Sequence, residues 1–246
     1  MSGRVYVLLP AYNESEVLGT LVPAIGKELQ SRSDFEVLVV DDGSRDSTAA
    51  VCESLKSTWP VCLLRHPVNQ GYGAAIRTGI LWIAQNAQGD DVAVTLDADM
   101  THLPQYIPAL IQKLDAGLDV VTASYRLPGG AAMGVPWSRR IMSDVINALF
   151  RWSVRKNQTT CMTNGFRAYR VSALQNTHRR WGEALIRQNG FPGGAELFFK
   201  VLLSGGRDGE VPFTLHYENR GSKSKIRIVQ TIRAYLQLIK DLRTGL

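Results

Sequence analysis

A regular alternation of short apolar runs with helical patterns restricts the fold of this 246-residue chain more than any other feature. The apolar runs cover residues 4–9, 35–40, 61–64 and 92–96, and each ends in a polar turn that leads into a helical pattern. Strands that are apolar along their length and separated by helices indicate right-handed βαβ units. We therefore predict an α/β fold, a mostly parallel sheet flanked by helices.

The second half of the chain continues with less regular spacing. The patterns predict helices over 104–116, 137–155 and 195–203, and strands over 120–125, before residue 170 and over 210–220. In the last segment, helical spacing joins Val229, Ile232, Leu236 and Ile239, supplemented by Tyr235 and Leu242. We expect this amphipathic helix to pack on the core; the alternative is that its basic face lies on an anionic membrane surface.

Four polar clusters lie between a predicted strand and the helix that follows it: PAYNE, DDGS, NQGYG and DAD. Ligands of open parallel sheets bind beyond the carboxyl ends of the strands. Gly71 and Gly73 in NQGYG allow the backbone to approach a ligand or another segment closely. These loops are therefore expected to meet in one crevice.

The stretch VAVTLDADMTH, residues 92–102, ends an apolar strand with Asp97 and Asp99. Residues i and i+2 of a strand point the same way, so both carboxylates can share one side if the extended geometry persists. Paired carboxylates favour Mg²⁺ or Mn²⁺, above all beside phosphate oxygens. The alternative is that one aspartate caps the helix beginning near Pro104.

Composition limits the classes of protein to be considered. The chain is 45% hydrophobic, which is enough for the core of one large α/β domain, and the longest apolar runs are too short to span a membrane. The start of the chain lacks a signal-peptide pattern, so we expect a cytoplasmic protein. The net charge of +6 permits an anionic partner, but no nucleic-acid-binding module is recognisable. No G-x-G-x-x-G follows the first strand, which disfavours a dinucleotide-dependent oxidoreductase.

Taken in order, six motifs resemble the family 2 glycosyltransferases of GT-A fold, in the branch of dolichol-phosphate mannose synthase and related polyprenyl-phosphate glycosyltransferases. The motifs are LLPAYNE, VVDDGSRDST, NQGYGAAIRTG, TLDADMTHLPQYIP, NGFRAYR and GSKSKI. The resemblance implies a single GT-A domain over residues 1–246. Its nucleotide-sugar-binding half would be 1–125, and its acceptor-side half, with the C-terminal helix, 126–246.

The resemblance also implies roles on the donor side. Tyr12, Glu14 and Asp42 are similar to residues that contact the base and ribose, and Asp97 to the first D-x-D carboxylate near the nucleotide. Asp99 is similar to the direct ligand of Mg²⁺ or Mn²⁺, and Thr101 stands where a polar residue often makes a further metal contact. The residues expected to line the same donor site beside these are Pro10, Ala11, Gly71 and Ala98.

On the acceptor side, Arg139 and Arg140 resemble basic helix residues near an acceptor phosphate, and Arg220 and Lys225 resemble a basic pair on a late loop over the phosphates. Glu196 is the candidate for orienting the acceptor, or for serving as base if the acceptor is a hydroxyl. The implied reaction is an inverting, metal-dependent transfer of a hexose from GDP-mannose or a UDP-hexose. The implied acceptor is a polyprenyl phosphate, with the protein peripheral to the membrane.

Several residues depart from the family pattern, and most lie in the acceptor half. Cys161 and Asn164 stand where relatives often have Asp and Ser, Gly194 replaces a Gln, and the order Ser124-Tyr125-Arg126 differs from the usual Ser-Arg-Tyr. Two alternatives therefore stay open. The first is a glycosyltransferase with a soluble or secondary-metabolite hydroxyl acceptor, and the second is a nucleotide-sugar binding protein with little catalysis.

Overall fold

The central sheet has seven strands within the part of the chain that the computed structural model describes, residues 3–31, 34–153, 158–219 and 228–244. These strands are β1 (Val5–Ala11), β2 (Phe35–Asp41), β3 (Val61–Arg65), β4 (Val92–Thr95), β5 (Val120–Ser124), β7 (Arg167–Arg170) and β8 (Asp208–Pro212). Their order is β3-β2-β1-β4-β7-β5-β8. Two shorter strands, β6 (Ala131–Met133) and β9 (Thr214–His216), pair in parallel as a separate ribbon.

Helices connect most of these strands. They are α1 (Ser15–Leu29), α2 (Thr48–Leu55), α3 (Tyr72–Asn86), α4 (Ile107–Asp115), α5 (Trp137–Ser153), α6 (Val171–Trp181), α7 (Pro192–Leu203) and α8 (Ile228–Thr244). Short 3₁₀ turns occupy Pro104–Tyr106, Gly182–Ala184 and Tyr217–Asn219. The predicted α/β fold, a mostly parallel sheet flanked by helices, is confirmed.

Alternation along β1 separates the core into two layers. Val7 and Leu9 belong to the layer that includes α1, α2 and α4, whereas Tyr6 and Leu8 face the layer of α3 and α5–α8. All four side chains are buried. Burial on both faces explains why the strand is apolar at every position.

The second half of the sheet differs from the sequence prediction. β7 runs antiparallel to both β4 and β5, between which it lies. The single strand predicted over 210–220 is wrong: it divides at Phe213 into β8 and β9, which belong to different sheets. The sequence analysis also missed α6, which buries only Val171, Ala173, Leu174 and Thr177.

The face by which α8 packs agrees with the prediction only in part. Tyr235, Leu238, Ile239 and Leu242 are buried in the core layer of α5 and α7. The predicted stripe is wrong for Val229 and Leu236, which are 63% and 48% exposed, because the packed face is centred on Leu238 and on Tyr235, whose ring lies against Phe150. Among the described residues, no helix combines the length and the apolar content that a bilayer crossing requires.

The contact between α3 and β1 can be tested at Gly79. An added Cβ there would lie 2.2 Å from Leu8 Cδ1. We expect Gly79→Ala to lower the free energy of unfolding by about 1–3 kcal/mol through overpacking. Gly19→Ala is the matched control, since exposed Gly19 in α1 has open space around its Cβ position and is expected to gain up to about 1 kcal/mol. Urea unfolding of both variants measures the difference, and equal stability would contradict the packing described.

Candidate active site

A cavity of about 570 Å³ lies beyond the carboxyl ends of β1, β2 and β4. Parallel pairing aligns these ends, with Ala11 opposite Asp41 and Leu8 opposite Thr95. Of the residues expected on the donor side, all but Thr101 line the cavity: Pro10, Ala11, Tyr12, Glu14, Asp42, Gly71, Asp97, Ala98 and Asp99; Thr101 lines a second, smaller cavity. The fold thus brings four separate polar loops to one edge of the sheet.

Asp97 and Asp99 lie in a turn, because β4 ends at Thr95 and the extended geometry does not persist. Both nevertheless line the same cavity. Asp99 Oδ1 accepts hydrogen bonds from the backbone N–H of Thr101 at 3.2 Å and from its hydroxyl at 2.6 Å. Thr101 therefore orients the Asp99 carboxylate. Neither aspartate caps the following helix, where Leu103 occupies the N-cap position.

Backbone groups of this turn bind to the His102 side chain and to β9. The N–H of Asp97 donates to Nδ1 of buried His102 at 3.1 Å, and the ring of His102 stacks on Phe166. The carbonyl of Thr101 accepts from the N–H of His216 in β9 at 3.1 Å. The turn that carries both aspartates is thereby tied to the β6–β9 ribbon.

Two aromatic rings border both this cavity and a second one of about 190 Å³. Tyr72 and Phe191 stack with centroids 5.2 Å apart, and both cavities also share Asp97, Asp99 and Thr231. Burial raises the pKa of the Tyr72 phenol well above its usual value, and the Asp97 carboxylate adds to the shift. The phenol thus stays protonated next to Asp97.

The second cavity combines a cation with an apolar wall. Arg139 of α5 lines it, and its guanidinium lies 5.2 Å from the ring centroid of Tyr217. Hydroxyls of Ser143 and Thr163, 3.1 Å apart, line another side. The apolar lining residues include Val135, Met142, Ile146 and Leu215. Arg140 lines neither cavity and donates instead to the carbonyl of Ala132.

Glu196 is not brought to either cavity. It is 3% exposed; its Oε2 accepts from the N–H groups of Arg187 and Gln188, each at 2.8 Å, and its Oε1 pairs with buried Lys200. The segment that it holds continues to Gly190 and Phe191, which line the donor-side cavity. The described contacts therefore make Glu196 an anchor of this segment, and the acceptor role expected from the sequence is not what this geometry favours.

Arg220 and Lys225, the predicted basic pair, lie outside the described residues. The elements on either side of them do reach the site. Tyr217 lines the second cavity, and the first turns of α8 contribute Gln230, Thr231 and Ala234 to the first. The start of α8 therefore belongs to the site as well as to the core.

Sequence reasoning missed three side chains that shape the site: His66, Tyr72 and Phe191. His66 directly follows β3 at the same sheet edge, and Tyr72 lies between the two glycines of NQGYG, so their positions alone could have identified them. Phe191 carried no such signal. It stacks on Tyr72 where the backbone carbonyl of Asn189 accepts from the N–H of Gly73 at 2.7 Å and joins the two segments.

The sequence is similar to several characterised proteins. The profile of Glycosyl transferase family 2 matches residues 6–177. Polyprenol monophosphomannose synthase of Mycolicibacterium smegmatis is 31% identical over 86% of this chain and 77% of its own length. Undecaprenyl-phosphate mannosyltransferase of Micrococcus luteus is 32% identical over 86% and 83%. Dolichol-phosphate mannosyltransferase of Pyrococcus furiosus is 31% identical over 96% of this chain, which spans 62% of that protein.

Solved structures share the fold. Glucosyl-3-phosphoglycerate synthase from Mycobacterium tuberculosis, in complex with Mn²⁺, UDP-glucose and phosphoglyceric acid, matches with a TM-score of 0.70 at 17% identity, over 98% of this chain and 80% of that one. Its complex with Mn²⁺, UDP and phosphoglyceric acid gives 0.69 at 18% identity, over 99% and 79%. The predicted GT-A architecture is thereby confirmed.

The anchoring role of Glu196 predicts how stability responds to its partner. Lys200→Met leaves the buried carboxylate without its cation, and we expect a loss of about 3–5 kcal/mol in the free energy of unfolding. The double variant Glu196→Gln/Lys200→Met is the control and should recover part of that loss. Urea unfolding monitored by circular dichroism checks both; wild-type stability of Lys200→Met would show that the pair does not stabilise the fold.

Proposed function

The chain belongs to glycosyl transferase family 2 and is a glycosyltransferase, and we propose that it transfers a hexose from a nucleotide-diphosphate sugar to a polyprenyl phosphate. One observation carries the proposal: the two cavities adjoin at Asp97 and Asp99. A donor in the first cavity would thus present its sugar to an acceptor in the second. Two relatives are named polyprenol monophosphomannose synthase and undecaprenyl-phosphate mannosyltransferase, and these names support this substrate pair.

In this proposal, the larger cavity binds the donor, GDP-mannose or a UDP-hexose. The ring of Tyr12 covers the base, and the carboxylates of Glu14 and Asp42 accept from base or ribose donors. The names of the relatives favour mannose, whereas the similar solved structure is a complex with UDP-glucose. The proposed division near residue 125 is not sharp at this cavity, since residues 190–192 and Gln230, Thr231 and Ala234 also line it.

Asp99 and Asp97 are the proposed ligands of Mg²⁺ or Mn²⁺, with Thr101 orienting Asp99. In the described ranges, no three His, Cys, Asp or Glu side chains are arranged to hold an ion. Mg²⁺ commonly takes only one or two carboxylates and completes its shell with phosphate oxygens and water, so a two-carboxylate set beside a nucleotide cavity fits. Bound there, the metal would neutralise the diphosphate leaving group.

The smaller cavity is proposed to hold the acceptor phosphate next to Arg139. A phosphate is already ionised at neutral pH, so its attack on the anomeric carbon requires positioning and charge neutralisation. A hydroxyl acceptor would need a general base, and Glu196, expected in that role, is bonded elsewhere. Attack from one cavity with departure into the other corresponds to inversion at the anomeric carbon.

A lipid acceptor requires access to a membrane surface, which the outer face of α5 could supply. Trp137, Ile141 and Val145 are 76%, 53% and 52% exposed and lie at successive i+4 spacings. Arg140 and Arg151 lie on the same helix. Aromatic and aliphatic side chains flanked by arginines suit the boundary of an anionic bilayer. We therefore propose that the protein is peripheral to the membrane and contacts it through α5.

Removing the charge of Asp99 tests the enzymatic proposal. We expect Asp99→Asn to reduce hexose transfer to a short polyprenyl phosphate by about a hundredfold or more, because leaving-group stabilisation is worth several kcal/mol. Asp90→Asn is the control, since this exposed aspartate precedes the other end of β4. Radiolabelled GDP-mannose and UDP-glucose, each with Mn²⁺, give the readout.

Two outcomes would count against the proposal. If folded Asp99→Asn transferred hexose at the wild-type rate, the Asp99 carboxylate would not be needed for the reaction. Mn²⁺-dependent binding of UDP or GDP by the wild type, without turnover across a panel of donors and acceptors, would instead identify a nucleotide-sugar binding protein.

Membrane contact is tested separately. Trp137→Ser/Ile141→Ser should lower partitioning to phosphatidylglycerol vesicles by about tenfold, because two apolar side chains no longer enter the lipid boundary. Val68→Ser is the matched control, as Val68 is 64% exposed on the loop after β3. Vesicle sedimentation measures the partitioning, and equal loss in both variants would show that α5 has no special part in it.

A further inference from the structure

His66 is a buried, polar side chain immediately behind the larger cavity, which it does not line. It directly follows β3, and its N–H donates to the carbonyl of Asp41 at 2.9 Å. This bond places the imidazole beside the end of β2, where Asp42 enters the cavity. The position suggests a function exerted through Asp42.

The two ring nitrogens of His66 have different partners. Nδ1 lies 2.7 Å from Asp42 Oδ1, and Nε2 lies 2.9 Å from the hydroxyl of Thr78 in α3. Because an ionised carboxylate can only accept, Nδ1 must carry the proton that is donated to Asp42. The hydroxyl of Thr78 holds the ring from its other side. The imidazole therefore connects the carboxylate to a rigid helix.

Asp42 has further donors in the turn before α3. The N–H of Gln70 donates to Oδ1 at 2.9 Å, and the N–H of Gly71 donates to Oδ2 at 2.8 Å. A carboxylate offers about four acceptor positions, and these three bonds leave about one. His66 supplies the one side-chain donor among the three, and it fixes the rotation of the carboxylate together with the two backbone groups.

We propose that His66 is a positioning residue for the nucleotide: it orients Asp42 so that the remaining acceptor position meets a single N–H or O–H donor of the base or ribose. The inference rests on the proposed donor-binding role of Asp42. His66 does not line the cavity proposed for the nucleotide. Its effect should therefore appear in nucleotide affinity and in the KM for the donor, with little change in kcat.

Paired substitutions separate the donor at Nδ1 from the bulk of the ring. In Asn, the side-chain amide nitrogen stands at the same distance from Cβ as His Nδ1, whereas Leu fills the space without any donor. We expect His66→Leu to weaken binding of UDP or GDP, with Mn²⁺ present, by about tenfold, as a charge-assisted hydrogen bond is lost. His66→Asn should stay within about twofold of the wild type. Isothermal titration calorimetry measures both.

A double-substitution cycle with Asp42→Asn shows whether the effect passes through Asp42. We expect Asp42→Asn to weaken nucleotide binding, and His66→Leu to add no further weakening in that background. Additive losses, or wild-type affinity of His66→Leu, would overturn the proposal, as would an unchanged affinity of Asp42→Asn. If His66→Leu does not fold, His66→Gln, whose amide reaches toward Thr78, takes its place with the same expectation.

Hexose transfer by the wild-type protein is measured on the same preparations. If the double-substitution cycle gives the expected result but the wild-type protein transfers no hexose, the proposed reaction is rejected and the positioning role of His66 is kept. If the wild-type protein transfers hexose but the losses of affinity in the cycle are additive, only the positioning role is rejected.

Discussion

Buried carboxylates at the carboxyl edge of the sheet, and the donors that hold them, impose the main physical constraint on this protein. Asp42 and Asp99 are 3% and 7% exposed, and the donors that hold them in the described structure include backbone N–H groups, one imidazole and one hydroxyl. Neutral donors keep a carboxylate in place without cancelling its charge. The described donors therefore order the carboxylates at this edge of the sheet, where the metal ion is proposed to bind.

The order of this edge depends on contacts between distant parts of the chain. An added Cβ at Gly73 would lie 1.9 Å from the carbonyl oxygen of Gln188, so the turn before α3 and the segment before α7 fit only with glycine there. Glu196 and Lys200 hold that segment from the other side. The stack of Tyr72 on Phe191 is a consequence of this close approach.

The donor half could be predicted from sequence because each strand, turn and helix is local and periodic. Asp42, Asp97 and Tyr12 follow strands whose ends must meet at one edge. The local sequence does not indicate that β7 runs antiparallel, that Leu236 of α8 is exposed, or that Glu196 binds a backbone loop. These features depend on packing between segments that are distant in sequence. The resemblance supplied candidate roles, and the cavity brings the donor-side residues together, but their chemistry stays a proposal.

The antiparallel direction of β7 has a further consequence. A parallel strand delivers its carboxyl end to the ligand edge, whereas β7 delivers its beginning, so the preceding loop with Thr163, Asn164 and Gly165 walls the smaller cavity. The larger cavity takes none of its lining from that loop. The antiparallel strand thus gives the smaller cavity, which is proposed to hold the acceptor, a wall that the larger cavity does not share.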